Sequence, residues 1–187
     1  GLYLLLRHAA IGGLYAFLMA AVPWLVTGFM HLDGYMDVCD AVLSRRELAT
    51  RQRILKDSHC GAFAVIGMVL LALCQWSVFL SGSADASLWG LLLIPVATRA
   101  CAGLAVLKLR PMGRHGGYAA ALAVLLAAAI AVPLVTDRSF APLAAAAGYG
   151  LAVWYGFRQL DGMNGDISGF SLALGELAGA AVWTLVR

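Results

Sequence analysis

Six apolar stretches, most of them near twenty residues long, recur along this 187-residue chain, at about 9–30, 61–80, 87–107, 118–136, 141–157 and 169–186, the fifth being the shortest. A helix of that length crosses the ~30 Å hydrocarbon core of a bilayer. Lipid offers the backbone no hydrogen-bond partner, so a chain that spans it must satisfy its own amides and carbonyls, and helices do so locally. The expected fold is therefore all-α, a polytopic transmembrane helical bundle of about six spans, forming a single integral membrane domain over residues 1–187. Only 12% of the residues are charged, against about a quarter in soluble domains.

Where the few charges lie says more than their net of +3. Arg45, Arg46, Arg51, Arg53 and Lys56 fall in the first connection and Lys108, Arg110 and Arg114 in the third, whereas the second has no basic residue and the fourth only Arg138. By the positive-inside rule the first, third and fifth connections face the cytoplasm, with Arg7 the exception. The expected location is an integral membrane one with these connections cytoplasmic, with membrane lipid as a partner and anionic headgroups against the basic face. Basic residues so few and so close to the membrane give nucleic-acid binding no support. Cys39, Cys60, Cys74 and Cys101 form no CxxC pair and read as small packing residues. The chain opens at Gly1 without Met, which suggests a missing native N-terminal segment.

The acidic residues are concentrated. Five of ten, Asp33, Asp37, Asp40, Glu47 and Asp57, fall in the first cytoplasmic connection, and Asp161 and Asp166 in the last. Spaced i, i+4 and i+7, Asp33, Asp37 and Asp40 fall within roughly 60° of one another on a helix. Carboxylates that close resist joint ionisation unless a cation neutralises them, and a hard divalent ion such as Mg²⁺ takes oxygen ligands while leaving room for a phosphate. Solvated loops also collect acids, but a stripe this regular, with Gly34 inside it to admit close approach, marks a metal and phosphate site.

Other polar positions surround it. Arg53 and Lys56 share a helical face, while Ser58 and Gly61 mark a break where amides meet phosphate oxygens; a positive-inside anchor is the simpler reading of the two basic residues. His31 beside the stripe is placed to orient a carboxylate or donate to phosphate, or is simply hydrogen-bonded. Arg99 in the third span and Glu176 in the sixth each cost about 2.5–3.5 kcal/mol in hydrocarbon, so both should face the bundle interior, as an ion pair or toward substrate. The turn Gly162-Met-Asn164-Gly165-Asp166, with free amides and a carboxylate, is suited to complete a metal or phosphate site or to serve as an ordinary loop.

Taken in order, His31-Leu-Asp-Gly-x-x-Asp-x-x-Asp40, Ile54-x-Lys-Asp-Ser-x-x-Gly61-Ala-Phe and Gly162-x-Asn-Gly-Asp166-x-x-Gly169, with Glu176 downstream, resemble the cobalamin synthase family, also called cobalamin 5′-phosphate synthase or adenosylcobinamide-GDP ribazoletransferase. The match runs from about residue 28 to 178. The first two motifs are specific. The third departs from the family's Gly-Gly-x-Thr-Gly-Asp, with Asp161 for a Gly and Asn164 for the Thr; His59 stands where Arg is common, and Cys39 for a small residue.

The resemblance implies an integral membrane enzyme that transfers adenosylcobinamide phosphate from adenosylcobinamide-GDP to α-ribazole or α-ribazole 5′-phosphate, releases GMP and uses Mg²⁺. Attack by an alcohol on a pyrophosphate asks for charge neutralisation, in-line positioning and a proton acceptor. On this reading Asp33, Asp37 and Asp166 hold one or two Mg²⁺, Asp40 is the base and Lys56 and Asp37 share the catalytic work. His31, Arg53, Asp57, Ser58, Gly61, Arg99, Asn164 and Gly165 then contact substrate; the aspartates are interchangeable among their roles. Two rival readings are a CDP-alcohol phosphotransferase, whose Asp-Gly-x-x-Ala-Arg element is absent after Asp33-Gly34, and a cation or solute transporter with Arg99 and Glu176 along its path.

Overall fold

The computed structural model describes residues 1–6, 12–82, 87–109 and 119–185, and it is all-α. Arg7, Arg110 and Arg114, which contribute to the charge pattern, lie outside the described residues. The helices in chain order are α1 (Leu2–Leu6), α2 (Gly13–Val26), α3 (Met30–Leu43), α4 (Leu48–Ile54), α5 (Ala62–Leu80), α6 (Leu88–Lys108), α7 (Ala119–Thr136), α8 (Ala141–Leu160) and α9 (Gly165–Leu185). Among the described residues α5, α6 and α9 are long and apolar enough to cross a membrane, and α2 with α3 passes the same test as a pair. Apolar helix also occupies the expected fourth and fifth segments, but the apolar part of α7 is shorter, Ala121–Thr136, and α8 is diluted by Gly, Tyr, Trp and Arg158.

The expected first span, 9–30, is not one straight helix. Gly28 and Phe29 both take left-handed backbone, φ 59 and 62, and the chain turns by 93° between α2 and α3. Glycine adopts that conformation freely; Phe29 next to it does so as the residue preceding α3. The consequence is functional. The acidic run belongs to a helix packed into the bundle against α5 and α9, not to an open connection outside it.

The core of this end of the bundle gathers α3, α8 and α9. Val38, Tyr149, Leu160 and Ile167 are completely or almost completely buried, and Tyr35 stacks on Phe170 with ring centroids 5.5 Å apart. Helices α8 and α9 form an antiparallel hairpin whose close approach depends on small residues: a Cβ on Gly175 would come within 2.9 Å of the Ala145 carbonyl, and one on Gly148 within 2.7 Å of the Ala178 methyl. Such seams are how helices gain packing contacts in lipid, where burial away from water no longer drives association. At the far end Phe79, Ile94 and Trp183 make a second apolar cluster, tied by the Trp183 indole, which donates to the Ser87 carbonyl at 2.6 Å. On α5 the residues Val65, Ile66, Val69, Leu70 and Leu73 are exposed, an unbroken apolar face suited to lipid.

Candidate active site

Four glycines let the acidic helix approach its neighbours. A Cβ on Gly34 would lie 2.8 Å from the Asp166 Cα, so α3 crosses the start of α9 with backbone nearly touching backbone. Gly169 meets the His31 carbonyl in the same way, at 3.1 Å. Gly67 on α5 accepts Cys39 and receives the Tyr35 hydroxyl, which donates to its carbonyl at 3.3 Å. Gly61, just before α5, lies directly against the Asp40 carboxylate, and any side chain there would collide with it.

These contacts bring Asp33, Asp37 and Asp40 around one cavity of about 70 Å³, closed on the other side by Ser58, His59, Cys60, Gly61 and Ala64 and floored by Met36 and Ile54. Asp166 enters from α9, close enough that Asp37 feels the charges of Asp33, Asp166 and Asp40 together. Asn164 holds the start of α9 by two hydrogen bonds. Its side-chain amide donates to Asp166 Oδ2 at 2.7 Å, and its Oδ1 accepts the Ile167 amide at 2.9 Å, the bond that caps a helix N-terminus.

The remaining expected residues fall into three groups. Ser58 and Gly61 line the acidic cavity with the aspartates. Asp57 is engaged with His59, accepting its amide at 3.1 Å and its ring Nδ1 at 2.6 Å, and these hydrogen bonds hold the exposed Asp57 carboxyl below the usual range. Lys56 is exposed at the end of the same segment, and Arg53 lines a separate cleft on the other side of Ile54. Gly165 stands in open space, so no neighbour requires a glycine there.

Arg99 and His31 form a third group, deeper in the bundle. Arg99 pairs with Glu176, and the pair lies on an apolar cavity of about 430 Å³ together with Thr27, Gln75 and Phe79, away from the acidic cavity. His31 is within electrostatic reach of both partners. Its backbone belongs to the α3–α9 crossing.

Some of the site had no signal in the sequence. Gly67 stands outside every motif and the cavity residue Met36 at an unspecified position of the first, whereas Gly169 and Ile54 lie within the third and second motifs with nothing in the sequence to say what they touch. The two departures in the third motif do have a structural account. Asp161 ends α8 with φ 54, a left-handed position that Gly fills best and Asp tolerates, and Asn164 caps α9 as Thr would.

Among the described residues no three His, Cys, Asp or Glu side chains form a ready-made cage for an ion, and Mg²⁺ asks for only one or two carboxylates, with waters and substrate phosphates completing its shell. What the site offers is donor type: four carboxylates from α3 and α9 at one end of the bundle, and a cradle at Gly61 that a Cβ would fill, leaving room for the Asp40 carboxylate. Hard, anionic oxygen donors of this kind fit Mg²⁺ and not a thiolate-seeking metal.

A sequence model of the family described as cobalamin-5-phosphate synthase matches residues 1–184. A Clostridium perfringens (strain 13 / Type A) protein named adenosylcobinamide-GDP ribazoletransferase is 36% identical over 181 residues, covering 89% of this chain and 72% of its own. Proteins of the same name from Geobacillus kaustophilus and Halalkalibacterium halodurans are 32% identical over 183 residues (87% of this chain, 69% of that one) and 44% identical over 103 residues (52% and 39%). No solved structure matches the chain.

Proposed function

The chain belongs to the cobalamin-5-phosphate synthase family, and we propose that it joins adenosylcobinamide-GDP to α-ribazole or α-ribazole 5′-phosphate with release of GMP, in a bacterial inner membrane with the acidic site facing the cytoplasm. The observation that carries this reading is the convergence of Asp33, Asp37 and Asp40 with Ser58 and Gly61 on one cavity at the charged end of the bundle.

In the reaction a ribazole hydroxyl oxygen attacks the phosphorus on the corrinoid side of the pyrophosphate. A new P–O bond forms, the bond to the bridging oxygen breaks, and that oxygen leaves with GMP. Asp40 accepts the hydroxyl proton: its carboxylate lines the cavity, lies against Gly61 where no side chain intrudes, and has no hydrogen-bond partner among the described residues. Asp33, Asp37 and Asp166 would hold Mg²⁺, with Asn164 fixing the angle of Asp166. Bound there, the ion would neutralise charge on the pyrophosphate and on the departing GMP. Ser58 and the Gly61 backbone lie where phosphate oxygens would enter, and Lys56 and Arg53 supply positive charge from the rim.

Arg99 takes a less direct role on this reading. With its guanidinium committed to Glu176 it serves to hold α6 against α9, and His31 is within electrostatic reach of that pair. The reading is tested by supplying purified protein with adenosylcobinamide-GDP, α-ribazole and Mg²⁺ and measuring GMP. Stoichiometric GMP and joined corrinoid are expected. Protein that is folded by circular dichroism yet releases no GMP would refute the activity.

A further inference from the structure

Helix α4 has little of its own to keep it in place. It is seven residues long, where an isolated helix needs roughly 12–15 to persist in water. None of the seven is buried, and Glu47 at its start supplies no side-chain cap. Its position is therefore set by what it touches. Leu55, the first residue after it, is buried. The Arg51 guanidinium donates to Gln159 Oε1, and the Gln52 side-chain amide donates to the Leu160 carbonyl at 2.8 Å. Arg51 buries its Nε in reaching Gln159, which a basic residue held only by solvent would not do.

Both bonds end on the last two residues of α8. A helix leaves its final carbonyls without intrahelical donors, and Gln52 supplies one to the fully buried Leu160. One residue further on, Asp161 turns the chain with φ 54, and the turn leads to Asn164, whose side chain donates to Asp166. On the other side of the clasp Ile54 lines the acidic cavity, and the chain after it supplies Ser58, His59, Cys60 and Gly61 to the same cavity. That stretch hangs from α4: the Lys56 amide donates to the Arg53 carbonyl at 3.1 Å, and the Asp57 amide to the Ile54 carbonyl at 2.9 Å. The end of α8 thus bears both the turn that delivers Asp166 and the segment that walls the cavity against Asp33, Asp37 and Asp40.

We propose that Arg51, Gln52 and Gln159 are positioning residues for the transfer, and that their clasp holds the wall from Ile54 to Gly61 in register with the aspartates. None of the three lines the acidic cavity, so they act through the residues they hold. The inference rests on the function proposed above. Asp166 is fixed independently, by Asn164 and by the close crossing of α3 at Gly34. Loosening the clasp therefore displaces the wall and leaves Asp33, Asp37 and Asp166 where they are. Transfer is sensitive to such a shift, because misplacing a reacting group by about 1 Å costs up to about a hundredfold in rate.

The test measures GMP release from adenosylcobinamide-GDP and α-ribazole by the wild type, Gln159→Ala, Gln159→Glu and Gln52→Ala, per mole of protein folded by circular dichroism. Gln159→Ala removes the acceptor of Arg51 and should lower kcat about tenfold with half-saturating Mg²⁺ unchanged. Gln159→Glu keeps an acceptor for the guanidinium and should return kcat to near the wild-type value. Gln52→Ala leaves the Leu160 carbonyl without its donor and should behave as Gln159→Ala does, and it carries the test alone should Gln159→Ala not fold. Wild-type kcat in the alanine variants, or an equal loss in Gln159→Glu, overturns the assignment while leaving the activity standing. A rise in half-saturating Mg²⁺ as large as the fall in kcat also overturns it, by placing the fault at the metal carboxylates. Absence of GMP from the wild type overturns the activity and this inference with it.

Discussion

At the scale of single residues the site depends on where a side chain is missing as much as on where one is present. Gly61 leaves room for the Asp40 carboxylate, so Gly61→Ala should displace that carboxylate and lower kcat by about 100-fold, the usual contribution of a positioned base, with little change in KM for adenosylcobinamide-GDP; steady-state kinetics check this. Asp40→Asn should produce a similar loss, and near-normal turnover would remove Asp40 as the proton acceptor. Asp161 and Asn164 make the opposite kind of prediction. Replacing Asp161, φ 54, by Gly should raise stability by about 1 kcal/mol, while Asn164→Ala should cost about 1 kcal/mol and also free Asp166. Asn164→Thr should keep the cap, and denaturation in detergent separates the three.

Among elements, the acidic stripe was legible and its setting was not. The i, i+4, i+7 spacing of Asp33, Asp37 and Asp40 holds because α3 is a regular helix through all three. Hydropathy reports only how apolar a window is, so the right-angle turn at Gly28 and Phe29 left no trace in it, and neither did the approach of Gly34 to Asp166, which pairs residues over a hundred positions apart. The clasp from α4 to the end of α8 was hidden for the same reason, since Arg51 and Gln52 look like ordinary solvated residues of a basic segment. Gly34→Ala tests the crossing. Its new methyl meets backbone that cannot rotate away, so a loss of about 1–3 kcal/mol is expected together with lost activity; wild-type melting and turnover would show that α3 and α9 are not so close.

Across the whole molecule, most charged groups among the described residues collect at one end of the bundle, with the Arg99–Glu176 pair in its interior and Asp137 and Arg138 in the connection between α7 and α8 as exceptions. The pairing of Arg99 with Glu176 was readable as a possibility because two opposite charges in separate apolar spans are costly apart. That they lie on a different cavity from the aspartates was not readable, since depth in a bundle depends on helix tilt and crossing. Removing Arg99 leaves the mostly buried Glu176 carboxylate without its partner, so Arg99→Ala should destabilise by about 1–3 kcal/mol. The double variant R99M/E176L should recover most of the loss, as equilibrium unfolding in detergent can show.

The central claim is that the acids of α3 and α9 bind magnesium for transfer at a pyrophosphate. Its most direct measurement is the rate of GMP release as Mg²⁺ is titrated into chelator-treated wild type and Asp37→Asn. The account predicts no release without the ion and at least an approximately tenfold higher half-saturating Mg²⁺ in the variant. Undiminished GMP release in excess chelator, or identical magnesium curves for the two proteins, would contradict it.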